Sequence, residues 1–180
     1  MKKIITVLLG ILIFVGFSSC EKLKEEVNKA VEFDMNYASE TTVPSSSIAA
    51  SQVLEINTPE IATESSSRFG SEGTSSSLIS EIKFKKLTIS NSNGNLDFLD
   101  SLSIYIQSPG QPGELVASKL IVPKSVSSFE CDLTDLNVKE YLFKEKIQFK
   151  VVARVTSGGV SAGDQKLKLE EILHVKGKLL

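Results

Sequence analysis

The sequence is poor in the residues that most often build metal, redox and aromatic binding sites. Its 180 residues include no tryptophan, three tyrosines, two cysteines and a single histidine. The scarcity of aromatic rings argues against an aromatic platform for sugar binding. His174 has no cysteine or carboxylate at a fixed metal-ligand spacing, and it alternates with apolar neighbours. We therefore expect His174 to be an ordinary surface residue with no catalytic or metal-binding role.

Charge and motif content exclude further classes of function. The net charge of the chain is −2, and loss of Lys2 and Lys3 with a signal peptide would make it −4. No strongly basic patch remains, so we expect no nucleic-acid partner. The serine-rich chain has no Gly-x-Ser-x-Gly nucleophile motif. We expect no catalytic residues, no metal and no cofactor, and hence a protein that is not an enzyme.

The segment from Asn91 to Asp100 carries many side-chain oxygens, as a calcium loop would. Gly94, however, stands where the EF-hand pattern does not place glycine, and the closing glutamate is absent. Because Asn-Gly is a common turn dipeptide, we interpret this segment as a turn.

The N-terminus has the layout of a secretory signal peptide. Lys2 and Lys3 precede an apolar run over residues 4–17, and two small residues follow it. A helix needs about 20 residues to cross a bilayer core, so this run is too short for a permanent span. The sequence therefore predicts that residues 1–19 are removed.

Phe17-Ser18-Ser19-Cys20 resembles a bacterial lipobox. The resemblance implies that the Cys20 thiol receives a lipid, so that membrane lipid is a partner and the protein is anchored to a membrane without spanning it. Two or three acyl chains make a stable anchor. The alternative is an ordinary signal peptide followed by a chance cysteine. If Cys20 is acylated, Cys131 remains alone and no internal disulfide forms, and we expect a buried, inert thiol there.

A charged tether follows the lipidated cysteine over residues 20–30. Its Glu-Lys-Leu-Lys-Glu-Glu run resembles the charged segments that direct some Bacteroidota lipoproteins to the cell surface. The other interpretation is a solvated tether or short helix. The sequence therefore predicts an outer-membrane location and leaves open whether the domain faces the periplasm or the outside.

The remainder, residues 31–180, is predicted to form one β-rich domain. Alternating apolar residues mark seven or eight short strands without a βαβ rhythm. The predicted strands are Val31–Tyr37, Val53–Ile56, Ile82–Ile89, Leu102–Ile106, Leu115–Ile121, Phe129–Leu133, Ile147–Val155 and Leu167–Val175. We expect an all-β fold with one or two short helices, specifically a two-sheet antiparallel β-sandwich, immunoglobulin-like or similar; the alternative is a closed β-barrel.

Three local features refine this prediction. The Ser/Thr-rich segment 39–77 is predicted to form long surface loops around its one strand, because its hydroxyls compete for backbone hydrogen bonds. A change of parity at Lys85-Lys86 predicts a β-bulge, and Thr134 is a candidate N-cap for a short helix. Glu171 lies on the apolar face of the last strand, so we expect a bulge or a sheet edge there.

The charged tether, the pattern of residues 96–106 and the segment 115–118 together resemble uncharacterised lipoproteins of Bacteroidota. The resemblance implies no catalytic residues. Asp100-Ser101-Leu102 also resembles the acceptor for O-glycans in that phylum, which makes Ser101 a candidate glycosylation site.

The leading hypothesis is a non-enzymatic binding or structural module, anchored at the outer membrane and contacting an unknown protein or glycan. The second is an accessory ligand-binding lipoprotein of a nutrient-uptake system. The third is a hydrolase whose site carries no recognised motif.

Overall fold

The structure is a computed structural model that describes residues 30–49, 52–156 and 163–180. The predicted signal peptide, Cys20 and the tether before residue 30 lie outside the described residues. The same is true of Gly158-Gly159, which the sequence predicts to form a turn after β9.

The described residues form ten strands, three short α-helices and one 3₁₀ helix. The strands are β1 (Ala30–Val43), β2 (Val53–Asn57), β3 (Ile61–Ala62), β4 (Ile79–Asn91), β5 (Leu99–Ser108), β6 (Gln111–Lys119), β7 (Ser128–Glu130), β8 (Asp132–Leu133), β9 (Lys146–Val155) and β10 (Gln165–Lys178). The helices are α1 (Ser45–Ala49), α2 (Ser65–Ser71) and α3 (Lys139–Leu142), and the 3₁₀ helix is Ser76–Leu78.

The strands form two antiparallel sheets with an apolar core between them. The four-stranded sheet has the order β1-β10-β4-β7; the six-stranded sheet has the order β2-β9-β5-β6-β8, with β3 also paired to β9. The predicted two-sheet antiparallel β-sandwich is confirmed. The closed-barrel alternative is wrong for the described strands, because they divide into two separate sheets.

The strand order is that of a jelly roll. The chain passes repeatedly from one sheet to the other, so that β1, β4, β7 and β10 share one sheet while β2, β5, β6 and β9 share the other. An immunoglobulin-type sandwich instead orders its sheets ABED and CFG. Here β1 lies beside β10 and β2 beside β9, and the two sheet orders together match a jelly roll, which combines two Greek keys.

Side-chain alternation builds the core as the sequence predicts. On β9 the five inward residues are at most 2% exposed: Ile147, Phe149, Val151, Ala153 and Val155. The predicted bulge in β4 is confirmed, because Phe84 opposes Leu173 and Lys86 opposes Ile172, leaving Lys85 as the extra residue. All four apolar residues around it point inward: Ile82, Phe84, Leu87 and Ile89.

The Ser/Thr-rich segment 39–77 is more regular than its composition indicates. The end of β1, the helices α1 and α2 and the strands β2 and β3 all lie within it. The expected long surface loops are therefore wrong for much of the segment, whereas the strand predicted at Val53–Ile56 is confirmed. Phe69 explains why α2 forms, since its buried ring makes edge contacts with Phe33 and Phe143, with centroids 6.3 and 6.1 Å away.

The single strand predicted from Phe129 to Leu133 is wrong. β7 belongs to the four-stranded sheet and β8 to the six-stranded sheet, so the chain crosses between the sheets at Cys131. The backbone N–H of Cys131 donates to a carbonyl of β4 at 2.9 Å, and that of Thr134 donates to a carbonyl of β6 at 2.9 Å. Thr134 is thus tied to the sheet and does not cap the helix α3, which begins at Lys139.

The two ends of the sandwich differ in their connections. β1 begins at Ala30 opposite Lys178 of β10, and α2, β3 and the turn between β5 and β6 lie at this end, which we call the tether end. At the opposite end Val43 pairs with Gln165. We call that end the loop rim, and it comprises the connecting segments 44–49, 92–98, 120–127 and 163–164.

Candidate functional site

Two adjacent aliphatic side chains are exposed on the loop rim. Leu120 and Ile121 follow the end of β6 and are 80% and 82% exposed. The sequence predicts them inside a strand from Leu115 to Ile121, which is wrong at its end because the ladder with β5 stops at Lys119. Sequence alternation therefore does not reveal this exposed pair, and apolar surface of this kind often marks a contact site.

The loop that carries this pair is fixed at its base. The ammonium group of Lys124 donates to the carbonyls of Asp97 and Leu99, both at 3.0 Å, and to the carboxylate of Asp100 at 3.1 Å. The backbone N–H of Val122 donates to the carbonyl of Asp100 at 3.0 Å. The exposed pair is thus held on an ordered loop.

Neighbouring loops of the rim are joined by side-chain hydrogen bonds. Asn93 donates through its amide to the carbonyl of Asp164 at 3.1 Å, and the backbone N–H of Ser45 donates to the Asp164 carboxylate at 3.0 Å. The amide of Asn91 donates to the carbonyl of Asn95 at 3.0 Å. This segment forms the turn that the sequence predicts, and its amides bond within the rim.

A trough lies on the outer face of the six-stranded sheet, at the tether end. Gln107 and Gln148 oppose each other on β5 and β9, with the parity opposite to the buried residues of both strands. Two adjoining depressions of about 290 and 410 Å³ share Glu60, Pro109 and Lys146 in their linings. The trough depends on residues far apart in sequence, so no local pattern indicates it.

The walls of the trough are built into the fold. Thr58 donates its backbone N–H to the carbonyl of Phe149 at 2.8 Å, and its hydroxyl accepts the N–H of Phe149 at 3.0 Å. Glu60 lies two residues after this fixed position, and its carboxylate pairs with the Lys146 ammonium group at 2.9 Å. This hydrogen bond raises the pKa of Lys146. The opposite wall is the tight turn at Pro109-Gly110.

Tyr105 continues the outer face beyond the trough. It lies two residues before Gln107 on β5, and its ring is partly exposed. The ammonium group of Lys150 lies 5.3 Å from the ring centroid, in the range of a cation–π contact. One face of the Tyr105 ring is therefore covered by the Lys150 ammonium group.

His174 belongs to a charged cluster on the outer face of the four-stranded sheet. Its Nδ1 lies 2.8 Å from the Asp34 carboxylate, and its Nε2 lies 3.7 Å from that of Glu32. Lys85 contacts the other oxygen of Asp34 at 2.6 Å. The hydrogen bonds from Lys85 and from His174 lower the pKa of Asp34. The carboxylate partners of His174 come from a neighbouring strand, which sequence spacing does not reveal.

Two further sequence candidates, Cys131 and Ser101, are among the described residues. Cys131 is buried, and burial raises the pKa of its thiol to about 12, so the predicted buried thiol is confirmed. Ser101 is half-buried on β5, next to Asp100 at the rim. Its O-glycosylation stays a prediction, which intact mass measurement would check.

Cys20 lies outside the described residues. Among the described residues, no group of three or more histidine, cysteine or acidic side chains is placed to hold a metal ion.

Glu171 is a buried carboxyl in the centre of the four-stranded sheet. It is 1% exposed, and neither carboxylate oxygen has a hydrogen-bond partner among the described residues. The expected sheet edge is wrong, because β10 is a central strand and Glu171 pairs with Tyr37 and Leu87. A bulge does lie beside this position, between Ile172 and Leu173, but its extra residue, Lys85, belongs to β4, so Glu171 keeps its inward parity on β10. Burial raises the pKa of Glu171 to about 8.

Comparisons with known proteins identify similar folds. The sequence matches no protein-family model, and a search of curated proteins gives no match. A protein from Eubacterium rectale described as secreted is similar in structure, with a TM-score of 0.42 and 10% identity over 82% of this chain and 41% of its own. An infectious bursal disease virus structure has a TM-score of 0.39 and 11% identity, over 83% and 32% of the two chains. The chain thus spans less than half the length of either protein.

A carbohydrate-binding module of the β-sandwich superfamily is also similar, with a TM-score of 0.31 and 10% identity over 86% of this chain and 56% of its own. Likenesses of this extent carry no information about function. None of the described helices is long and apolar enough to cross a bilayer.

Proposed function

We propose that this protein is a lipid-anchored binding module of the outer membrane, held through acylated Cys20 and contacting a protein partner through its loop rim. The observation that carries the proposal is the adjacent pair Leu120-Ile121, exposed on a loop whose base is fixed by Lys124. The lipobox-like Ser-Ser-Cys sequence supports the anchor.

The direction of the chain supports this arrangement. Cys20 precedes the tether end by ten residues, which span at most roughly 35 Å when extended. β1 has 14 residues, so a strand of that length carries the chain about 45 Å toward the rim. An anchor at Cys20 would therefore hold the tether end near the membrane and leave the rim free to face a partner.

The energetics also suit a contact at the rim. Complete burial of one large aliphatic side chain contributes about 1.5–3 kcal/mol. A loop that is already ordered loses little conformational entropy when it binds. Two such side chains on a fixed loop can therefore act as a small apolar anchor inserted into a partner's pocket.

Site-specific cross-linking tests the proposal. A photoreactive amino acid replaces Leu120 at the rim or, as the matched control, the exposed Glu72 at the tether end. We expect a discrete protein adduct from position 120 alone in intact cells, and we expect Ile121→Ser to diminish it. Equal adducts from both positions, or none from position 120, would contradict the proposal.

Ligand binding for nutrient uptake is the second candidate, and the trough beside Gln107 and Gln148 favours it. That surface is independent of the rim, so both activities can belong to one anchored domain. The geometry of His174 does not favour the hydrolase alternative, since its ring nitrogens face two carboxylates.

A further inference from the structure

We propose that the trough on the six-stranded sheet binds a neutral sugar, with carboxamides contacting its hydroxyls and Tyr105 contacting one face of its ring. The inference deepens the ligand-binding candidate and does not depend on the rim. Its starting point is the depression of about 290 Å³ that the carboxamides of Gln107, Gln111 and Gln148 line together.

Three carboxamides line the trough, and each has at least one donor or acceptor without a partner among the described residues. Those of Gln107 and Gln111 make no hydrogen bond to another described residue. Gln148 donates its amide N–H to the carbonyl of Thr58 at 2.7 Å, which fixes its orientation and leaves its oxygen without a described partner. Half-buried donors and acceptors that converge in a concave site are typical of ligand recognition.

Local packing orders at least one of these amides. Gln107 lies against the backbone of Gly113, where an added Cβ would come within 3.2 Å of the amide nitrogen and 3.3 Å of Cγ. The absent side chain at Gly113 thus leaves room for Gln107 to lie across the surface. The amide of Gln107 therefore lies on the β6 side of β5, and that of Gln148 is held toward Thr58 on the far side of β9, so that the two carboxamides line the depression from opposite sides.

The charge balance of the trough favours an uncharged ligand. The Lys146 ammonium group lies 2.9 Å from the Glu60 carboxylate, so each charge already has an ionic partner. A carboxamide offers donors and an acceptor together, which matches a sugar hydroxyl that both donates and accepts. The ring of Tyr105, two residues along β5, is partly exposed, and the face that Lys150 does not cover would supply an apolar surface for sugar C–H groups.

The sheet topology disfavours a peptide as the ligand. An extended peptide most often binds a sheet by adding a strand to a free edge. The floor of the trough is formed by β5 and β9, and each of these strands is already paired on both sides. A short peptide is therefore the alternative that the experiment must distinguish.

The test is an NMR titration of the mature chain from Cys20 onward, in a detergent without a sugar headgroup. The probes are mannose, galactose and N-acetylglucosamine, with triglycine as the peptide control. We expect at least one sugar to shift the side-chain amide resonances of Gln107, Gln111 and Gln148, and triglycine to leave them unchanged. No shift with any of the three sugars, or shifts with triglycine alone, would overturn the inference.

Variants locate the site. Gln107→Leu and Gln111→Leu should each weaken sugar binding roughly five- to tenfold, the effect of one lost hydrogen bond. Tyr105→Phe should preserve binding and Tyr105→Ser should weaken it, whereas Gln52→Leu, at an exposed glutamine near the rim, should change nothing. Unaltered backbone spectra verify folding in each case. If both trough glutamine variants bind as tightly as the native protein, the inference is wrong; the cross-link from Leu120 still tests the rim separately.

Discussion

The middle of β10 and the loop rim depart from the usual pattern of burial in opposite directions. Glu171 places a carboxyl in the core without a described hydrogen-bond partner, while Leu120 and Ile121 place aliphatic side chains in water. A buried charge without a partner destabilises the folded state, whereas an exposed aliphatic residue affects folding little. Substitution of Glu171 should therefore change the stability of the fold, whereas substitution of Leu120 or Ile121 should change binding.

The largest effect is expected from Glu171→Leu. Because the pKa of Glu171 is about 8 in the folded state against 4.5 ordinarily, the folded state binds more protons between these values. Protonated Glu171 is therefore tolerated in the folded state below pH 4.5. As the pH rises from 4.5 to 8, its ionisation lowers the free energy of unfolding by up to about 5 kcal/mol. Denaturant unfolding across this range should show Glu171→Leu increasingly more stable than the native protein as the pH rises.

Glu170→Gln is the matched control for that experiment, since its side chain is exposed on the opposite face of the same strand. Because the charge of Glu170 contributes the smallest of the effects on the pKa of Glu171, this variant should shift the pH dependence of unfolding only slightly. A native protein whose stability does not fall between pH 4.5 and 8 relative to Glu171→Leu would show that Glu171 is not held as a buried acid.

Phe69→Ala should give the next largest effect. It shows how much stability a buried apolar residue contributes, for comparison with the exposed pair Leu120-Ile121. The ring is 0% exposed and packs between Phe33 and Phe143. Its removal should lower the free energy of unfolding by about 3–5 kcal/mol. Urea unfolding measures this change, and a loss below about 1 kcal/mol would mean that α2 contributes little to the core.

Tyr37→Phe should have a smaller effect. The Tyr37 hydroxyl donates to the carbonyl of Thr63 at 2.6 Å, so the variant should lose about 1 kcal/mol of stability. Tyr37 lies opposite Glu171 in the sheet, and its hydroxyl is committed to Thr63. The pH dependence of unfolding should therefore keep its native slope; a changed slope would reveal a direct contact between the hydroxyl and the buried carboxyl.

The smallest effect on stability is expected at the rim. Leu120→Ser and Ile121→Ser should each change the free energy of unfolding by no more than about 0.5 kcal/mol, because both side chains already face water. The same urea experiment measures them. A loss comparable to that of Phe69→Ala would mean that the pair belongs to the core and would remove the argument for a binding role.

The alternation of apolar residues makes much of this fold predictable from sequence. It locates β9 and the interior of β5, and a single change of parity locates the bulge at Lys85. Alternation does not predict the crossing at Cys131, because Phe129, Cys131 and Leu133 keep the same period while the chain passes from one sheet to the other. Strand order depends equally on pairings between distant segments, which the local pattern does not encode.

The candidate surfaces are less predictable for the same reason. Leu120 and Ile121 have the character of strand residues, and only the end of the ladder with β5 leaves them in water. The trough needs Glu60, Gln107 and Gln148 to meet from three separate strands and connections. Local sequence identifies the candidate anchor at Cys20, because a lipidation motif is a short contiguous stretch of residues.

The most direct test of the anchored arrangement is fractionation of cells expressing the native protein or Cys20→Ala, followed by protease treatment of intact cells. The account predicts that the native protein is found with the outer membrane, that Cys20→Ala leaves the membrane fraction, and that protease access reports which side the domain faces. If Cys20→Ala remains with the membrane as the native protein does, Cys20 is not the anchor, and the proposed orientation of the rim is wrong.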